Sequence, residues 1–233
     1  MANFRLRFSY SELGLGALLS HLEMQRALTR LVRRAALPIV LTQGFSPHMK
    51  LATGPALPVG VASVAEYADV ELSRFVKPAE ALARLQAAAP PLLPVLGCAY
   101  VNPKSPSLDA WLDGQTLELR ISDADEQELS AHFESVRTGP ELEIERKGKL
   151  RRYLPADFAP RPAEITRNDT GWVSVRFGML LPSGGALRSD VFAEALLKPW
   201  EITPWEAALT RVELFHYGTG GVKEFALPQV SHA

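Results

Sequence analysis

The sequence predicts an α+β protein made of two ferredoxin-like units in tandem, each a βαββαβ run whose antiparallel sheet is covered by helices on one face. Three observations predict it. Residues 1–104 read as strand, helix, strand, strand, helix, strand. A polar, proline-bearing break follows at Asn102 to Ser107 (NPKSPS). Residues 105–233 then begin a similar order again, so the expected domains are 1–104 and 105–233.

Phe4 to Tyr10 opens the first unit with strict alternation: Phe4, Leu6, Phe8 and Tyr10 against Arg5, Arg7 and Ser9. Glu12 to Gly16 reads as a turn. Ser20 is a good helix N-cap, and Glu23 three residues on completes the capping-box spacing. At about 100° per residue, Met24, Leu28, Leu31, Val32 and Ala35 gather on one side of that helix. Arg26, Arg30, Arg33 and Arg34 gather opposite, within an arc of roughly 100°. Pro38 is the expected stop. Short strands are expected at Ile39 to Thr42 and Leu51 to Ala56, and a longer one at Glu66 to Ser73 with a bulge or polar edge. Pro78 opens a second helix over Ala79 to Ala88 with Leu82 and Leu85 inward, and Val95 to Val101 ends the unit.

In the second unit Thr116 to Ile121 is a strand, and Asp123 is read as the cap of a helix running to Ser135. Leu142 to Arg146 and Leu150 to Leu154 form a hairpin around Lys147-Gly148-Lys149. An inserted loop is expected at Pro155–Asn168. Trp172 to Leu181 is a strong strand, and a helix from Ser189 or Asp190 reaches Leu197, where Pro199 stops it. Leu209 to Tyr217 closes the sheet. The tail after Gly218 is expected to fray.

Composition bounds the chemistry. The chain has 233 residues, 47% hydrophobic and 22% charged, enough to bury a core. A single cysteine, Cys98, excludes an internal disulfide framework and any cysteine-ligated zinc or iron–sulfur cluster held by this chain alone. No signal peptide and no run of 18 apolar residues is found, so a cytoplasmic, membrane-free setting is expected. The net charge of −1 conceals an asymmetry: 11 Lys+Arg against 6 Asp+Glu in residues 1–104 (+5), and 14 against 20 in residues 105–233 (−6). A polyanion would therefore be drawn to a local patch of the first unit.

The chemistry-bearing residues cluster in one stretch. Gly44-Phe45-Ser46-Pro47-His48-Met49-Lys50 places an aromatic, an imidazole and an ammonium within seven residues. Phe45 can offer a stacking face to a base, with His48 and Lys50 donating to phosphate. The commoner role of such residues is a core anchor, and that is expected for Phe45 and Met49, with His48 exposed. The four arginines suit several phosphates at once or a solvated helix face. His21, in the first turn of the helix, can act as a donor or base or simply satisfy backbone groups. Glu66 and Tyr67 share a strand, and Glu66 can pair with an arginine. Arg146, Lys147, Lys149, Arg151 and Arg152 form a basic hairpin tip that can extend a nucleic-acid track or merely be solvated. Absent are a Walker A loop, a GxGxxG run, HExxH, GxSxG and any metal-spaced Cys/His cluster, so no cofactor is expected.

SHLExxR, RRAxLP, GFSPHxKL, GPALPVGVAS and Glu66-Tyr67, in that order, resemble the uncharacterised radical SAM-linked protein family over residues 4–101. The resemblance implies a radical SAM enzyme as partner but no settled activity. It weakens in the second half, where Ala156-Asp157-Phe158-Ala159-Pro160 and Leu187-Arg188-Ser189 depart from the family's words. Three function classes follow, in this order. The first is a non-catalytic RNA-binding or substrate-presenting accessory of a radical SAM enzyme. The second is a metal-independent endoribonuclease similar to the CRISPR repeat-processing enzymes, using His21 or His48 with Tyr67 and Lys50. The third is a protein adaptor without nucleic acid.

Overall fold

The computed structural model describes residues 4–146, 148–182, 185–218 and 222–227, the side chain of Arg146 excepted. It is α+β, with a large sheet dominated by antiparallel pairs and helices packed on it. Two compact units divide the chain: Met1–Leu112 with Leu214–Ala233, and Asp113–Glu213. The division falls eight residues beyond the expected one and returns the C-terminal segment to the first unit.

The first unit contains β1 (Phe4–Glu12), α1 (His21–Arg34), β2 (Leu51–Thr53), β3 (Ala62–Leu72), α2 (Pro78–Ala88), β4 (Val95–Val101) and α3 (Leu108–Trp111). β1 pairs antiparallel with both β3 and β4, and β2 pairs antiparallel with β3, giving the order β4–β1–β3–β2. The alternation of β1 does what period 2 demands. Leu6, Phe8 and Tyr10 meet Ala68, Val70 and Leu72 of β3 under Met24, Leu28, Leu31 and Val32 of α1 and Ala81 and Leu85 of α2. The opposite sheet face is buried too, by polar groups: Arg7 and Asp69 lie there, with the Arg7 guanidinium 5.9 Å from the Trp111 ring. Helices on one face therefore do not complete the cover. Asn102 to Ser107 is packed rather than a free linker, since Arg5 donates to the Ser105 and Pro106 carbonyls at 2.6 and 2.8 Å.

Ile39 to Thr42 forms no regular strand. It makes isolated bridges, Ile39 to Leu72 and Leu41 to Met49, because the chain turns back at once. The turn expected over Glu12 to Gly16 is a 3₁₀ helix, Gly14–Leu18. α1 ends before Pro38: Ala35 caps it and Ala36 takes φ 51°, with its N–H on the Arg33 carbonyl at 3.1 Å.

The second unit contains β5 (Gly114–Ser122), α4 (Glu126–Arg137), β6 (Leu142–Arg146), β7 (Lys149–Tyr153), α5 (Pro155–Phe158), β8 (Glu164–Arg167), β9 (Trp172–Leu180), α6 (Ser189–Leu197) and the start of β10 (Thr210–Tyr217). β5, β9 and β8 pair in that order, all antiparallel, with β10 next to β5. Phe133, Phe177 and Phe192 form the centre of its core, with ring centroids 5.4 to 5.8 Å apart. The helix cap is Asp125, which accepts from the N–H groups of Gln127 and Glu128 at 2.9 Å; Asp123 instead takes φ 56° in the connection. β6 and β7 pair only with each other as a separate two-stranded sheet, and the sheet strand is β8, inside the expected inserted loop. α6 ends at Leu197 as expected, and Pro199 sits in the 3₁₀ turn that follows, Lys198–Trp200, where proline lacks only an N–H that a first turn does not use. In the first unit, β11 (Lys223–Phe225) pairs with Tyr217, His216 and Phe215, so that part of the tail is a strand.

Candidate functional site

α1 presents the basic face. Its first turn is closed by a reciprocal cap: the Glu23 N–H donates to Ser20 Oγ at 3.4 Å, and the Ser20 N–H donates to the Glu23 carboxylate at 2.9 Å. The Ser20 hydroxyl also donates to that carboxylate at 2.6 Å, and these bonds, the side-chain one foremost, hold Glu23 below the usual carboxylate range. Burying Met24, Leu28, Leu31 and Val32 leaves Arg26, Arg30, Arg33 and Arg34 exposed. Arg30, Arg33 and Arg34 enter no ion pair among the described residues. Arg33 and Arg34 also sit in the last turn, where cations suit the carbonyl end of the helix dipole.

The Val40–Lys50 segment is an irregular hairpin closed by Thr42, whose N–H donates to the His48 carbonyl at 2.8 Å. The His48 N–H returns to Thr42 Oγ1 at 3.1 Å. Its ring Nδ1 lies 3.1 Å from the same hydroxyl and 3.2 Å from the Ser46 carbonyl, which fixes the imidazole plane. Gly44 takes φ 130°, a conformation side chains resist, and turns the tip outward. The two expected anchors separate there. Met49 is buried in the core, whereas Phe45 is 109% exposed, so burial of Phe45 is overturned. Lys50 is paired to Glu71 at 3.1 Å.

Two clefts of the first unit carry residues that the sequence singles out. One is lined by Arg5, Lys50, Leu51, Asp69, Glu71 and Ser107 among others. Its charges are paired internally, Asp69 taking Arg5 and Arg7 at 2.7 Å each. The other brings together Tyr10 and Glu12 of β1, His21 and Met24 of α1, Gly54 to Leu57, and Glu66 of β3. Three of the sequence words, around His21, Gly54-Pro55-Ala56-Leu57 and Glu66, thus meet on one wall, although they lie up to 45 residues apart. His21 itself is exposed, with its Nε2 3.0 Å from Gln25 Nε2. Tyr67 is buried. The α1 arginines and His48 line neither of these clefts. His21 lines one cleft and Lys50 the other.

In the second unit Lys149 and Arg151 are exposed on the β6–β7 hairpin, where Gly148 takes φ 69°, and Arg152 pairs with Glu143 at 2.9 Å. Lys147 and the side chain of Arg146 lie outside the described residues. Sequence reasoning missed the Arg5–Asp69–Arg7 cluster. The signal was present in the strand register, since Arg7 and Asp69 are directly opposite across β1 and β3. It also missed the exposed leucines of the 3₁₀ turn. Among the described residues no group of three His, Cys, Asp or Glu is placed to hold a metal, and no helix is long and apolar enough to cross a membrane.

Residues 5–188 match the family described as an uncharacterized protein conserved in bacteria (DUF2344). The chain belongs to that family. No curated protein matches this DUF2344 member. Among solved structures it is similar to a chain of the "Crystal Structure of a Cbf5-Nop10-Gar1 Complex", at 13% identity and a TM-score of 0.38. That likeness covers 90% of this chain and 47% of the other, so the DUF2344 chain spans about half its length.

Proposed function

We propose that this DUF2344 protein is a non-catalytic RNA-binding or substrate-presenting accessory that works with a separate radical SAM enzyme. The observation that carries the reading is Phe45, wholly in solvent at the tip of a hydrogen-bonded loop. Leaving that much aromatic surface in water costs free energy, and a base stacked on it recovers the loss. Arg30, Arg33 and Arg34, exposed and in no ion pair among the described residues, supply phosphate neutralisation, with Arg26 on the same helix face. His48 adds a donor whose ring plane is already set. Lys149 and Arg151 give the second unit a basic surface of its own.

The strand orders β4–β1–β3–β2 and β10–β5–β9–β8 support reading each unit as ferredoxin-like, with the β6–β7 hairpin inserted in the second. A nuclease is less well supported. Its four candidate groups do not share a cleft, since His21 and Lys50 line different ones and Tyr67 is withdrawn from solvent.

The test is fluorescence anisotropy with a labelled RNA hairpin, titrated in salt. Affinity should fall steeply between roughly 50 and 200 mM salt, and the triple variant Arg30→Ala, Arg33→Ala, Arg34→Ala should flatten the slope by about two phosphate equivalents. Absence of salt-sensitive binding at micromolar protein would remove the RNA role. Retention of the chain by a radical SAM enzyme after nuclease treatment checks the partner separately.

A further inference from the structure

The 3₁₀ turn Gly14–Leu18 buries its small residues and displays its large ones. Gly16 and Ala17 are buried, and Gly16 lies so close to Leu92 that a Cβ there would stand 2.7 Å from the Leu92 carbonyl oxygen. Leu15 is left 66% exposed and Leu18 46%. They are three residues apart, so a 3₁₀ helix stacks them on one side. Leu22, 56% exposed, follows four residues after Leu18 in the first turn of α1. Val59 flanks it, next to Gly60, whose N–H binds the Ala17 carbonyl at 2.7 Å. Further bonds, Gly16 N–H to the Leu13 carbonyl at 2.8 Å and Leu19 N–H to the Gly16 carbonyl at 3.1 Å, hold the turn rigid. With Leu92 these residues leave on the order of 500 Å² of surface in water, within the range of the largest apolar patch on a typical monomer, which is often functional.

We infer that Leu15, Leu18, Leu22 and Val59 form a docking surface for an acidic amphipathic helix of a partner protein. The helix form follows from the line of anchors, which an i, i+3/i+4 stripe can follow. The acidity follows from the net field: beyond Leu22, α1 carries one exposed carboxylate, Glu23, engaged by its Ser20 cap, against four exposed arginines, Arg26, Arg30, Arg33 and Arg34, so carboxylates along the partner are attracted and lysines repelled. Aliphatic side chains offer nucleic acid no stacking face. α1 cannot lie in a lipid surface either, because its own apolar stripe is in the core. The two readings share the α1 arginines, but the leucines and Val59 belong to this surface alone and Phe45 to the RNA reading alone.

The experiment uses the full chain and synthetic helical peptides of 16 residues with a leucine stripe, flanked by either glutamates or lysines. Anisotropy should show the glutamate peptide binding at least about tenfold tighter than the lysine peptide, with binding lost in Leu15→Ser, Leu18→Ser, Leu22→Ser. Arg26→Glu should shrink the preference. These positions are exposed, so the variant should keep the wild-type melting curve, and its RNA affinity should be unchanged. Equal binding of both peptides, or full binding to the serine variant, overturns the inference. So does leucine-dependent capture by vesicles with 30% phosphatidylserine in place of peptide, which would make the surface a lipid contact. Leucine-dependent dimerisation in sedimentation without peptide binding would make a second copy the occupant and overturn it equally.

Discussion

Asp69 accepts the Nε–H of Arg7 on one carboxylate oxygen at 2.7 Å, with both side chains nearly closed to water. Its other oxygen takes Arg7 again at 3.0 Å and Arg5 at 2.7 Å, and Arg5 spends its remaining donors on two carbonyls. Removing the shared acceptor strands a buried guanidinium. Asp69→Ala should therefore cost about 3–5 kcal/mol, whereas replacing the pair together, Arg7→Met with Asp69→Leu, should cost far less. Urea midpoints of the three proteins decide it, and equal loss in single and double variants would show that the stranded guanidinium is not what destabilises the protein.

Met49 and Phe45 make an internal contrast within one loop. Met49→Ala should destabilise by about 2–5 kcal/mol because it opens a cavity in the core. Phe45→Ala should stay within about 0.5 kcal/mol of wild type in stability, since the ring contacts solvent only. The same Phe45→Ala variant should weaken RNA binding by about 1–3 kcal/mol, the contribution of one stacked base. Denaturation and anisotropy on one preparation separate the two effects.

Ala36 ends α1 in the left-handed region, φ 51°, where a Cβ is unfavourable. Ala36→Gly should raise stability by about 0.5–1 kcal/mol, because the residue's side chain is exposed and its carbonyl contact with Arg84 at 3.3 Å is kept. A lower midpoint would mean that the side chain packs.

The α1 cap has a defined pH signature. Glu23 is held below its ordinary value by the Ser20 hydroxyl and N–H, so its folded pKa is the lower one. Its contribution is present above the unfolded carboxylate value, about 4.3, and is lost as pH falls through the folded value. The difference in urea midpoint between wild type and Ser20→Ala should be full at neutral pH and shrink below about pH 4.

Burial pushes the Cys98 thiol above its usual range, and its Sγ lies 3.3 Å from the Pro78 carbonyl. Thiolate is the reacting form, so disulfide reagents should modify native protein much more slowly than free cysteine at neutral pH. Unfolded protein should titrate one thiol per chain at the ordinary rate.

The legible parts of the fold were those in which a short window contains its own reason. Ser20 and Glu23 announce the α1 cap, and the five apolar positions from Met24 to Ala35 are all buried. β1, α2, β4, β5 and β9 follow from alternation or from Pro78. The errors share a cause. Asp123 and Asp125 are equally good caps by residue type, and the backbone path of the β5–α4 connection selects Asp125. The basic hairpin pairs only with itself, its Leu142, Ile144 and Tyr153 half-buried, and the sheet place goes to Glu164–Arg167.

Residue order and type alone determined an amphipathic basic helix, its start, and a glycine-turned loop rich in binding groups. Folding in three dimensions decided which loop residue faces water, and that His21, Gly54 and Glu66 share a wall. Periodicity reports the apolar side of one segment, because neighbours three or four residues apart share a helix face. Cover comes from strands and turns far away in the chain, and no local pattern encodes their arrival.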